Sequence, residues 1–196
     1  MLLEHLEMRQ LISPFRFLCS ALALLFGIGG AASFNLHMGA GDRKIAPNFI
    51  GNSITMLIAT GTVLFLVTEL FLSPLLIAFG SPADVLPLAR PYVSITAIGF
   101  PFLILTIGSG HLIRADGSPK MAMIMNLSGA IINIVLDAVF LLIFRWGMYG
   151  AAAATVIGQI VGAIAALLFN RFRNPVIHVH LKNYHFRWQD IADIYQ

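Results

Sequence analysis

Apolar residues run through this chain in long blocks separated by short polar punctuation. No Asp, Glu, Lys or Arg occurs in 17–41, 45–68, 91–113 or 146–170, and 121–144 contains only Asp137. A helix that crosses a hydrocarbon core needs roughly 20 apolar residues, so each block is long enough to span. The pattern predicts spans near 17–36, 49–72, 92–113, 121–144 and 148–170. All are expected to be helical, because an open sheet cannot satisfy its backbone groups in lipid. The connections are Gly39-Ala-Gly-Asp-Arg-Lys44, Gly80-Ser-Pro-Ala-Asp84, Arg114-Ala-Asp-Gly-Ser-Pro-Lys120 and Arg145-Trp-Gly-Met148. Each carries the Gly, Pro or Asp that ends one helix and starts the next, and loops this short imply antiparallel neighbours. The expected fold class is an all-α integral membrane protein, a bundle of about five transmembrane helices with the lipid bilayer as its partner.

Composition agrees with the pattern. Of the 196 residues 58% are hydrophobic and 11% charged, outside the range of soluble domains. The net charge of +3 adds information only through its placement. Counting Lys and Arg on alternate sides puts Arg43, Lys44, Arg114, Lys120, Arg171, Arg173, Lys182 and Arg187 together, against Arg9, Arg16, Arg90 and Arg145. The positive-inside rule assigns the first set to the cytoplasm, with the N-terminus outside and the C-terminus inside a cell inner membrane. Basic residues gathered in this way argue against a nucleic-acid partner.

Glu4, Glu7 and Arg9 near the start speak against a signal peptide. Residues 1–13 read as a non-membrane segment, 14–170 as the five-helix unit, and 171–196 as a cytoplasmic linker. Within that linker Trp188, Ile191, Ala192 and Tyr195 open an amphipathic helix. Cys19 is the single cysteine, so no intramolecular disulfide can form, and packing is its expected role. Pro101 removes a backbone donor and is expected to kink the third span. Gly27, Gly29 and Gly30, and Ala151, Thr155, Gly158 and Gly162 in the last span, mark faces where helices approach closely.

Asp137 is the residue most suggestive of chemistry, because a carboxylate inside a span is costly and is commonly tied to ion handling. Asn133 lies one turn before it and Asn126 two turns further back, so three polar groups share one face. Thr155 lies about as far after the Arg145 loop as Asp137 lies before it, which places both at similar depth, with Gln159 one turn deeper. Asn133, Asp137 and Thr155 offer oxygen ligands suited to a hard cation, and a desolvated carboxyl also suits proton exchange. The competing reading makes Asp137 a structural carboxyl bonded to a neighbouring helix. Glu69 falls at the outer end of the second span, closed by Ser73 and Pro74, where it can snorkel to the interface. His178, His180 and His185 on a polar tail lack the company of a metal site. No enzyme motif or cofactor signature appears; the expected small partner is a coupling ion, Na⁺ or H⁺.

Three segments together resemble one transporter family: the Arg114 to Lys120 loop, Ile132-Asn-Ile-Val-Leu-Asp137, and Trp146-Gly-Met-Tyr-Gly-Ala-Ala-Ala-Ala-Thr155. They are similar to the multidrug and toxin extrusion (MATE) transporters, as are Gly27-Ile-Gly-Gly30 and Gly39-Ala-Gly-Asp42. The resemblance implies a partial first lobe, helices two to six of a twelve-helix, two-lobed fold. It implies Na⁺- or H⁺-coupled export of cationic or amphipathic drugs or toxins, and a complementary lobe as a partner. It assigns Asn133, Asp137 and Thr155 to a first-lobe cation site, whose helix-one Asp has no counterpart here. Two alternatives stand beside it: a remnant that pairs with a full-length transporter, and a lipid-linked oligosaccharide flippase, which would line its cavity with several cationic residues.

Overall fold

The computed structural model describes residues 2–80 and 85–172, with side chains from Ile12 to Gly80 and from Val85 to Asn170. The tail features at His178, His180, His185 and Trp188 to Tyr195 lie outside the described residues, as do Arg173, Lys182, Arg187 and 81–84. The described chain is helical throughout: α1 (Leu2–Gly39), α2 (Ala46–Leu70), α3 (Leu72–Ala78), α4 (Leu86–Ile98), α5 (Phe100–Ala115), α6 (Pro119–Ala138) and α7 (Gly147–Phe172). A π-helical turn, Val139–Ile143, extends α6.

Four helices are long and apolar enough to span a membrane, and α4 with α5 forms a bent pair that can act as a fifth. α1 is one helix from Leu2, and its apolar part, Ile12–Gly39, starts five residues before the expected span. α2 closes at Leu70, before Ser73 and Pro74, which fall inside the short α3. The third span does break, by 43°, but at Gly99, two residues before Pro101. Pro101 sits in the first turn of α5, where a missing N–H costs nothing because first-turn donors have no partner inside the helix. The chain reverses after α1 and α5 through Gly41 (φ 87°) and Gly117 (φ 82°), a backbone region that L side chains avoid.

α5 is the central post. It packs against α1, α2, α6 and α7, while α7 also covers α4. Close approach at glycines makes this possible. A Cβ on Gly27 of α1 would meet Gly108 Cα of α5 at 2.8 Å, and one on Gly61 of α2 would meet Pro101 Cα at 2.6 Å. On α6 and α7, a Cβ on Gly158 would lie 2.9 Å from Gly129 O and 2.9 Å from Asn133 Cβ. All four distances are shorter than a real Cβ tolerates, so these helices meet almost backbone against backbone, as small-residue seams do in lipid. Around the α1–α2–α5 seam Cys19, Phe34, Phe49, Ile50, Leu57, Ile104 and Leu112 are buried, and Cys19 is packed as expected. Many other large apolar side chains, Leu25, Val63, Leu70, Ile134 and Leu142 among them, are exposed, as suits a lipid solvent.

Replacing Gly27 by Val should separate α1 from α5 and cost about 1–3 kcal/mol, read as a lowered thermal unfolding midpoint of the detergent-solubilised chain. Gly39→Ala, where a Cβ meets nothing within 4 Å, should leave that midpoint nearly unchanged.

Candidate functional site

Between α1 on one side and α6 and α7 on the other lies a cavity of about 600 Å³, with α4 and α5 joining the two walls. Polar residues enter it from four helices at spacings of about one turn. Asn133 and Asp137 come from α6, Thr155 and Gln159 from α7, Tyr92 and Thr96 from α4, and Ser13, Arg16 and Ser20 from α1. Phe17, Phe100 and Leu103 supply apolar walls. A drug-sized space with apolar walls and a few converging polar groups has the form of a small-molecule site.

Four residues named from the sequence meet here: Asp137, Asn133, Thr155 and Gln159. Asn133 Nδ2 donates to Thr155 Oγ1 at 3.4 Å, and Thr155 in turn donates to Ala151 O at 2.9 Å. Thr155 is thereby fixed in orientation with its oxygen toward α6. Gln159 Oε1 is buried without a hydrogen-bond partner and lies against Gly99, the residue at the break between α4 and α5. A side chain at position 99 would displace it. Immediately beyond Asp137 the helix widens into the π-helical turn, a feature that recurs at functional sites. Phe140, Phe144 and Trp146 then cluster, with ring centroids 5.0 Å (Phe140 to Trp146) and 5.3 Å (Phe144 to Trp146) apart, an aromatic anchor of the kind found at membrane interfaces.

Asn126 and Glu69 do not join this group. Asn126 is exposed and lies beside Gly110 of α5. Glu69 stands half-buried at the end of α2, with Oε1 buried and without a hydrogen-bond partner. The contributions of α1 and α4 were not foreseen. Ser13, Arg16 and Ser20 recur at helical spacing, as do Tyr92 and Thr96, and that periodicity was the available signal. A span that begins at residue 17 leaves Arg16 in an outer loop, whereas the apolar part of α1 begins at Ile12 and includes it.

The family model described as MatE matches residues 9–139. The chain belongs to the MatE family. Curated relatives of this MatE protein include the multidrug export protein MepA of Staphylococcus aureus (strain NCTC 8325 / PS 47), 29% identical over 161 residues, covering 82% of this chain and 36% of that protein. MepA of Staphylococcus saprophyticus is 26% identical over the same length. The chain thus spans little more than a third of the length of the curated relatives it matches. Among solved structures, MATE in the bent conformation superposes with a TM-score of 0.88 at 23% identity, over 97% of this chain and 43% of that one. The inward-facing conformation of a multidrug resistance MATE family transporter gives 0.88 at 23% identity, over 97% and 44%. These establish the fold, an all-helical membrane unit of the MATE type.

This MatE chain also buries an acid outside the cavity. Asp116, in the loop between α5 and α6, is 1% exposed, and neither carboxylate oxygen has a hydrogen-bond partner. Burial pushes its pKa up to about 7 from an ordinary 3.8. Below pH 4 the carboxyl is neutral whether the chain is folded or unfolded. As the pH rises toward 7 the unfolded form ionises while the folded form resists, so stability falls across that window and levels off above it. Asp116→Asn should therefore raise the unfolding midpoint at pH 8, leave it nearly unchanged at pH 4, and flatten the pH dependence between. Thermal unfolding scans across that range check this.

Proposed function

We propose that this chain is the ion-coupled half of a multidrug efflux transporter, exchanging cationic or amphipathic compounds for Na⁺ or H⁺ across the inner membrane. The observation that carries the reading is the meeting of Asp137, Asn133 and Thr155 on one cavity large enough for a drug. Asp137 supplies the negative charge that a cation or proton neutralises. Asn133 and Thr155 supply neutral oxygens for a hard cation, and Gln159 adds a fourth. Occupation of Asp137 removes a charge from the cavity wall, so the ion and an organic cation compete for one carboxylate, which is the basis of exchange. Asp137, half-buried on α6, shares the cavity with residues of α1, α4, α5 and α7, so its charge state bears on how those helices pack around it. A complementary lobe would close the cavity on its open side. The N-out, C-in orientation belongs to the same proposal and rests on the Lys and Arg distribution.

Arg16 lends some support to the flippase alternative, because it places one cation on the cavity; that reading would be expected to place several. The reading as a remnant differs in outcome: such a chain would co-purify with a full-length transporter and drive no efflux in any combination.

The deciding experiment is ethidium efflux from vesicles under an imposed Na⁺ or H⁺ gradient, with and without a complementary lobe. Asp137→Asn should slow ion-driven efflux on the order of tenfold or more, the equivalent of ~1.4 kcal/mol. Asn126→Ala, remote from the cavity, should leave it intact. Efflux unaffected by Asp137→Asn would reject the role assigned to Asp137.

A further inference from the structure

Position 99 holds a glycine that its backbone does not require. The angles there, φ −75° and ψ −17°, are those of an ordinary helical residue, and glycine in a helix is less stable than alanine. What the glycine provides is space. A Cβ at this position would collide with Gln159 Oε1 and would stand 3.1 Å from Thr96 O, so the carboxamide of Gln159 fills a notch at the break between α4 and α5. The notch is rich in acceptors. Gln159 Oε1 is buried with no hydrogen-bond partner. Thr96 O, which takes one bond from Gly99 N, borders the same point with a lone pair to spare. Pro101 lacks the N–H that would bond to Ala97 O four residues back. What the notch lacks is a donor, and the amino end of the same carboxamide carries two N–H groups. Gln159 also lines the cavity, one turn along α7 from Thr155, and α4 lines it with Tyr92 and Thr96. Because α5 is seated against α1 through Gly108 and against α2 through Pro101, a change of angle at Gly99 moves α4, with Tyr92 and Thr96, against a fixed post.

We propose that Gln159 is a positioning residue with two settings, which ties what binds in the cavity to the angle between α4 and α5. In one setting its carbonyl end lies in the notch, as in this structure, and the carboxamide is a spacer. In the other the carboxamide is turned end for end: Nε2 donates to the carbonyl oxygens of the break, and Oε1 faces the cavity beside Thr155. A cation, or a ligand that brings an N–H group, binds that oxygen and so favours the second setting, in which α4 is pinned by a hydrogen bond. The proposal rests on the transport reading above and gives it a route from the cation site to one wall of the cavity.

The test measures the spacing between spin labels at Leu88→Cys on α4 and Val63→Cys on α2, both exposed positions, before and after Na⁺ is added or the pH is lowered. It uses the full chain in nanodiscs, with the buried Cys19 replaced by Ala. Leu88 stands about three turns from Gly99, so it moves roughly 3 Å for each 10° of change at the break. The wild-type spacing should shift with one of these ions. Gln159→Leu, which fills the notch but neither donates nor accepts, should abolish the shift, while the Asp137 carboxyl band in infrared difference spectra still responds to the ion. Gly99→Ala, which expels the carboxamide from the notch, should abolish the shift as well. A shift that survives in either variant would reduce Gln159 to a filler and overturn the proposal. Loss of the Asp137 band in Gln159→Leu would also overturn it, by making the residue a ligand and no more. A wild-type band that responds to the ion without any change in spacing would overturn it and leave the transport reading standing. If neither band nor spacing responds in the wild type, both fail.

Discussion

Asn133 and Thr155 reach each other because α6 and α7 touch backbone to backbone at Gly129 and Gly158. Gly158 lies directly against Asn133, so the residue that closes the helix seam also sets the position of a site side chain. In lipid, helix association draws little on hydrophobic burial and depends on close packing and polar contacts. Here those two sources coincide within about one turn. Any side chain at position 158 would push α6 away from α7 and pull Asn133 from Thr155, so in this region stability and site geometry are one property.

The rest of the bundle extends the same logic. α5, seated on α1 through Gly108 and on α2 through Pro101, is the post on which the cavity's two walls stand. The break at Gly99 leaves room for Gln159 at the point where α4 turns away. A polar side chain inside a span is costly when it faces hydrocarbon, and those that line the cavity avoid that cost. The cavity therefore collects polar residues from α1, α4, α6 and α7, while large apolar side chains cover the outside.

Much of this was legible in the chain alone. The charge-free blocks predicted the spans, and loop arithmetic placed Asp137 and Thr155 at one depth, where the structure puts both on one cavity. What stayed hidden depended on helix rotation and helix ends. Asn126 shares a face with Asn133 by simple periodicity, yet it lies beside Gly110, because α6 is flanked by different neighbours along its length. Arg16 looked like a loop cation because a charged residue normally marks the end of a span. Here α1 continues through it, and Arg16 lies on the edge of the cavity. Asp116 carried no periodic signal at all: its burial comes from how the loop between α5 and α6 folds, which spacing does not encode.

The central claim is that Asp137 is the group that takes up the coupling ion within this cavity. Infrared difference spectroscopy on the full chain in a supported bilayer tests it directly, by recording the carboxyl stretch as pH is lowered or Na⁺ is added. The account predicts a carboxyl band that responds to one of these ions and is lost in Asp137→Asn. An unchanged ion-induced difference spectrum in Asp137→Asn would contradict it.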